Sequence, residues 1–262
     1  MEDDDVGLDL DSVFPEEERP PTPEATVVVY EREEHEGGWR EVKIRLVGRA
    51  SAVGASSVRA SSWNAARAFA AYLDATPELY RDRAVLELGA GGGLPGLVAV
   101  LNGAGRVVLT DYPDAALIAN LEHNVEENVP AALKGRVDVK GYIWGQPVQP
   151  LVEGLPSEGF QLIILSDLVF NHSQHEALLQ TCERGLASDE DASVLVFYTH
   201  HRPHLAHRDM EFFAKAREGG WVCEEILTRR FAPMFPEDSG SEDVRATVHG
   251  WRLRRVLEQK SW

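Results

Sequence analysis

"VLELGAGGGLPGLVAVL", residues 85–101, decides the fold. An apolar run carrying one acid, Glu87, gives way to five small residues, four of them glycine, before helical character returns. A chain gives up side chains at the mouth of a strand for one of two reasons. Either the backbone turns too tightly for a Cβ, or something lies directly against it. In doubly wound folds the turn after the first core strand is where a nucleotide-like ligand lies, facing amide N–H groups at the start of the next helix.

The surrounding pattern supports such a fold. Apolar runs recur at "AVLELG", "RVVLTD", "RVDVKGYIW", "FQLIILSD" and "SVLVFYT". Helical patterns separate them: "GLVAVLNGAG", "DAALIANLEHNVEEN" and "SQHEALLQTCERGLA". Strands with little in/out alternation, joined by helices, predict a mostly parallel sheet covered on both faces. After a further helix, "RDMEFFAKAREGG", the segments "WVCEEILTRRF" and "ATVHGWRLRRV" predict a closing antiparallel hairpin. Upstream, residues 25–48 read as two strands around a turn at Gly37 and Gly38. "RASAVGASSVRASSW" reads as a loop, followed by a helix whose face carries Ala66, Phe69, Ala70 and Leu73. The expected architecture is α/β: a Rossmann-like seven-stranded sheet with a C-terminal antiparallel hairpin and an N-terminal β-hairpin extension.

At 262 residues, with 44% hydrophobic and 26% charged side chains, the chain suits one large globular domain. That domain is expected over residues 25–262. Residues 1–24, acidic and ending in a proline-rich stretch, read as a disordered tail. The net charge of -17 opposes phosphate backbones and argues against a nucleic-acid partner. An acidic surface suits a basic partner, and serves equally as a solubility device. No apolar run approaches the ~18 residues of a membrane span, and "MEDDDVGLDLDS" lacks the basic residues of a leader. Two cysteines, Cys182 and Cys223, fit core thiols in a reducing compartment. A cytoplasmic monomer is the expectation.

Two ligand classes compete for the glycine turn. A dinucleotide fingerprint, G-x-G-x-x-G, matches Gly89 and Gly91 but finds Leu94 in the third place. No second nucleotide-binding half follows. The sequence G-A-G-G-G-L-P-G is the pattern of S-adenosylmethionine methyltransferases, where the turn meets the ligand's methionine part. Asp111 ends the next apolar run, where an acid can accept hydrogen bonds from both ribose hydroxyls. Helix capping competes for it, because Asp111 and Asp114 both precede "AALIANL".

The segments "SSWNAARAFAAYL", "VLELGAGGGLPG", "LTDYPD", "NLEHNV", "YIWGQP" and "ILSDLVFNHSQH" occur in that order. Together they resemble the seven-strand lysine methyltransferase group, methyltransferase family 16, over about residues 25–256. The stretches "SDLVFNHSQH" and "YTHHRPHL" are most similar to members that methylate the N-terminus and adjacent lysine of translation elongation factor 1-alpha. The resemblance implies S-adenosyl-L-methionine as cofactor and that elongation factor as protein partner. It implies that Trp63 belongs to the cofactor's lid. Gly89, Ala90 and Gly91 would meet the methionine portion, Asp111 the ribose and Trp144 the adenine. Ser166 would flank the cofactor. Asp167 and Phe170 match the group's acid-x-x-aromatic pair beside the target amine; many relatives have tyrosine at the position of Phe170.

Ordinary roles compete for each of these residues. Trp63, Trp144 and Phe170 also fit core packing, and Asp167 also fits a cap for the helix that follows. Tyr30, Tyr198 and His200 are further candidates for accepting a proton. The cluster of His200, His201, His204 and His207 shows no metal-ligand spacing, so no metal is expected. Other functions to be weighed are a small-molecule N-methyltransferase with a nicotinamide-like amine substrate, and a non-catalytic binding module on the same fold.

Overall fold

The computed structural model describes residues 25–32, 38–47, 55–231 and 242–255. The acidic tail and the turn residue Gly37 lie outside them. Strands β1 (Thr26–Glu31) and β2 (Glu41–Leu46) form an antiparallel hairpin. Helix α1 (Ala55–Ala75) leads to β3 (Ala84–Leu88), α2 (Leu94–Leu101), β4 (Arg106–Asp111) and α3 (Ala115–Asn128). Then come α4 (Ala131–Lys134), β5 (Val137–Gly141), α5 (Gln149–Val152), β6 (Leu162–Ser166) and α6 (His175–Gly185). The chain continues through β7 (Ser193–Thr199), α7 (Ala206–Glu218), β8 (Trp221–Arg230), α8 (Glu242–Ala246) and β9 (Thr247–Arg255).

The main sheet has seven strands in the order β5-β4-β3-β6-β7-β9-β8. The first five pair in parallel, and β9 runs antiparallel to both neighbours. The expected doubly wound sheet and closing hairpin are therefore present. Strand order reverses beside β3, which puts the topological switch point at the end of the glycine-turn strand.

The apolar runs lack alternation because both faces of the sheet are covered. On one face Leu162, Ile164, Leu195 and Phe197 pack with Phe69, Leu97 and Leu121 of α1, α2 and α3. On the other, Ile163, Leu165, Val194 and Val196 pack with Leu178, Phe212 and Phe213 of α6 and α7. Phe69 stacks on Phe197 with ring centroids 4.1 Å apart, which ties α1 to β7. Such a pair adds roughly 0.5–1.5 kcal/mol beyond the area it buries.

Helix α1 corrects one expectation. It begins at Ala55, inside the segment read as a loop. Alanine is the strongest helix former and serine costs little, so a helix anchored by Phe69 and Leu73 propagates back through small residues. Both cysteines are free thiols. Cys182 lies in the core, where burial pushes its pKa up to about 12, and Cys223 is half-buried.

The hairpin is fastened to the sheet domain by polar contacts. Arg32 forms a two-pronged pair with Asp74 of α1, through Nε at 2.8 Å and its terminal nitrogen at 2.7 Å. Along α3, Asn120, Asn124 and Asn128 form a ladder against β2. Asn124 accepts the Arg45 N–H at 2.9 Å and donates to the Arg45 carbonyl at 2.9 Å. Asn128 does the same for Lys43, at 2.8 Å each way. Asn120 donates to the Arg45 carbonyl as well. The asparagine amides thus act as a third strand for the exposed edge of β2.

Glu87 is fully buried on the α2 side of β3, and its Oε2 accepts the Gly96 N–H at 2.8 Å. It serves the first turn of α2, whose N-cap, Gly93, offers no side chain. A Cβ on Gly96 would lie 2.3 Å from Leu109 and 2.7 Å from this carboxylate, so the last glycine of the motif lets helix and strand touch. Burial outweighs the Gly96 hydrogen bond and pushes the Glu87 pKa from 4.5 up to about 8. Between those two values the folded chain keeps a proton that the unfolded chain sheds, so stability falls as pH rises and levels off above the higher one. Glu87→Gln imitates the protonated form and removes that slope. In thermal unfolding, its Tm should gain on the parent's by several degrees between about pH 6 and about pH 8.5. A gap that does not widen with pH would mean that Glu87 is ionised in the fold.

Candidate active site

Above the switch point lies a cleft of about 270 Å³, and its walls come from four segments. The glycine turn over 89–95 is the floor. Ile44 and Leu46 of β2 and Val47 just after it, with Trp63 and Ala66 of α1, form one side. Ser166 at the end of β6, with Asp167, Leu168 and Phe170 after it, forms the other. Of the nine expected site residues, Trp63, Gly89, Ala90, Gly91, Ser166, Asp167 and Phe170 line this cleft.

The turn shows why side chains were given up. Gly89, Gly91 and Gly93 all have positive φ, between 57° and 75°. A Cβ on Gly92 would come within 2.4 Å of Ile44, so there the hairpin itself presses on the backbone. At Gly91 the space in which a Cβ would stand holds no atom within 4 Å. Both reasons for losing side chains therefore apply, and the open face at Gly91 is where a ligand can lie against the backbone.

Asp111 ends β4 at the rim of this turn. Its Oδ2 accepts the Gly91 N–H at 2.8 Å and its Oδ1 accepts the Tyr112 N–H at 2.7 Å. Helix capping belongs to Asp114, which accepts from Ala116 and Leu117. Trp144 follows β5 and stands behind Gly89: its Cζ2 would lie 2.9 Å from a Cβ there. It packs against the core on that face rather than lining the cleft.

Asp167 has φ 60°, one of two non-glycine residues with positive φ among those described. That conformation is rare for a side chain larger than glycine's and is least costly for Asn and Asp. It buries the carboxylate, at 5% exposure, in the cleft wall. Oδ1 accepts the Thr199 N–H at 3.3 Å, and Oδ2 lies 2.7 Å from Nε2 of His201. His201 also meets Phe170 edge-on, with ring centroids 5.2 Å apart. Asp167 caps no helix.

The other expected proton acceptors stand apart from the cleft. Tyr30 is buried in the core beneath the hairpin. The Tyr198 hydroxyl donates to Met210 Sδ at 3.3 Å, and burial raises its pKa. His200 Nδ1 lies 2.6 Å from Asp209, whose other oxygen holds His172 at 2.6 Å. His204 and His207 are exposed. The four histidines thus diverge, and among the described residues no group of three or more His, Cys, Asp or Glu side chains could hold a metal ion.

Strand order, glycine turn and the acid at the end of β4 define the class as a methyltransferase fold. Solved structures agree on the fold. The YcgJ protein of Bacillus subtilis matches with a TM-score of 0.52 at 11% identity, covering 72% of this chain and 99% of that one. A Pyrococcus horikoshii protein, provisionally described as an RNA methyltransferase, matches with a TM-score of 0.51 at 19% identity, covering 75% and 84%. The sequence narrows the class. A family model described as lysine methyltransferase matches residues 49–219, and the chain belongs to that family. Two relatives in it are named protein N-terminal and lysine N-methyltransferase EFM7. The one from Schizosaccharomyces pombe is 43% identical over 91% of this chain and 92% of its own. The one from Cryptococcus neoformans is 42% identical over 98% of this chain and 92% of its own. No described helix is long and apolar enough to cross a membrane.

Proposed function

We propose that this chain is an S-adenosylmethionine-dependent protein N-methyltransferase acting on the N-terminal α-amine and the adjacent lysine of translation elongation factor 1-alpha. One observation carries the reading: a single cleft joins the open backbone at Gly91 to the pair Asp167 and Phe170. The cofactor fits the residues present. The open face at Gly91 takes its methionine part and the half-buried rim carboxylate of Asp111 takes two ribose hydroxyls, while Trp144, half-buried behind Gly89 and outside the cleft lining, is left to border the adenine end. Trp63 and Ser166 flank it. The transferase domain spans residues 25–262. The names of the relatives and the acidic surface, which attracts a basic protein, support the choice of substrate.

When bound, S-adenosylmethionine supplies a methyl group on a positively charged sulfur. The protein's task is placement: it aligns a neutral amine behind that methyl group and excludes water, and such alignment supplies most of the rate. Ile44, Leu46 and Trp63 close the apolar side of the cleft. Asp167 draws in and orients the amine, while Phe170 offers an aromatic wall to the cationic product. Protonation ranks the two target amines. A lysine with pKa ~10.4 loses about 4 kcal/mol in becoming neutral near pH 7.4, and an α-amine with pKa ~8 loses under about 1. The α-amine is the easier nucleophile.

Mass spectrometry of a peptide carrying the elongation factor's mature N-terminus, incubated with enzyme and cofactor, tests the reading. Methyl groups should appear on the α-amine first and on the lysine later. An unmodified peptide, with enzyme that binds the cofactor, would overturn the choice of substrate.

A further inference from the structure

We infer that His201 is the positioning residue of the amine site, paired with Asp167 so that the carboxylate can orient an amine without trapping it as ammonium. The inference rests on the methyl-transfer reading above. A carboxylate beside an amine poses a conflict: it attracts the ammonium, but it also raises the amine's pKa and so holds back the neutral nucleophile. An opposite charge on the far side of the carboxylate relieves that conflict.

The geometry supplies it. His201 Nε2 lies 2.7 Å from Asp167 Oδ2, with side chains 6% and 4% exposed. Asp167 Oδ1 is occupied from behind by the Thr199 N–H. The imidazole is itself fixed edge-on against Phe170, so one ring touches both members of the acid-x-x-aromatic pair. His201 is absent from the cleft wall, whereas Asp167 and Phe170 line it. It therefore acts through them.

The charged groups around the ring favour the imidazolium. Burial opposes it, but Asp167, through charge and contact, and then Asp209 of α7 outweigh burial and neighbouring Arg202, so the His201 pKa rises above its ordinary value. Asp209 is itself held by His172 and His200. With His201 charged, the pair is close to neutral and favours the ammonium form of a neighbouring amine less.

Two measurements test this. In His201→Asn, the acidic limb of the kcat–pH profile for the N-terminal peptide should move up by roughly one pH unit, because the unpaired carboxylate then stabilises the ammonium. KM should change little, and the dissociation constant for S-adenosylmethionine should stay within about twofold. An unmoved midpoint overturns the inference, whatever happens to the rate. The second measurement needs no folded His201 variant. NMR titration of the His201 imidazole in the parent protein should give a midpoint above the ordinary histidine value, lowered in Asp167→Asn. A midpoint at or below that value overturns the inference. The titration reads the pair without turnover, so it separates failure of the pair from failure of the methyl-transfer reading.

Discussion

Asp111→Ala should weaken S-adenosylmethionine binding about a hundredfold and leave the fold standing. The carboxylate sits at the end of β4, where it accepts two backbone N–H groups, from Gly91 and Tyr112. Both lie at an exposed rim, so water replaces the lost acceptor at small cost. The capping of α3 is untouched because Asp114 performs it. Binding has no such substitute. Each hydrogen bond from a ribose hydroxyl to a charged acceptor contributes about 1.5–3 kcal/mol, and two such bonds amount to a hundredfold or more in affinity. Each carboxylate oxygen has a second lone pair, so Asp111 can hold the turn and a sugar together. Calorimetric titration should show the loss, with a Tm within a few degrees of the parent's. Undiminished affinity would place the sugar elsewhere.

How far the sequence could be read depended on whether a signal was local. Four of the five parallel strands were legible because burial on both faces writes an uninterrupted apolar run, and β3 to the glycine turn is one such run; β5, at the sheet edge, is only half-buried and mixes valines with Asp138 and Lys140. The cleft's near residues were legible for the same reason: Gly89 to Gly91 and Asp167 to Phe170 follow directly from strand ends. What escaped depends on contacts distant in sequence. Asn120, Asn124 and Asn128 repeat every four residues on α3, a spacing that reads as a solvated face. Only the approach of β2 reveals them as partners of a strand edge. Ile44 and Leu46 read as one side of a hairpin, not as a cleft wall. His201 was hidden among four neighbouring histidines, and nothing in the spacing distinguished the one that faces Asp167. The signal was present only as its position two residues beyond the end of β7, at the carboxyl edge of the sheet where ligands sit.

Asp167→Asn should cut methyl transfer by about a hundredfold or more, the range associated with losing a positioned acid–base group, while cofactor affinity changes less than about threefold. The choice of asparagine matters. Position 167 has φ 60°, which asparagine adopts as readily as aspartate and alanine does not. Alanine would add roughly 1–3 kcal/mol of backbone strain in the cleft wall, and a loss of activity would then have two causes. Asparagine keeps the size and can still accept the Thr199 N–H, so it removes the charge and little else. Without that charge, an ammonium gains no attraction to the cleft and His201 loses what favours its charged form. Both effects fall on the amine, and neither reaches Asp111 on β4. Single-turnover rates at saturating cofactor, set beside calorimetric binding of the cofactor, separate the two. If rate and affinity fall together, Asp167 belongs to the cofactor's seat and the amine must be held by another group.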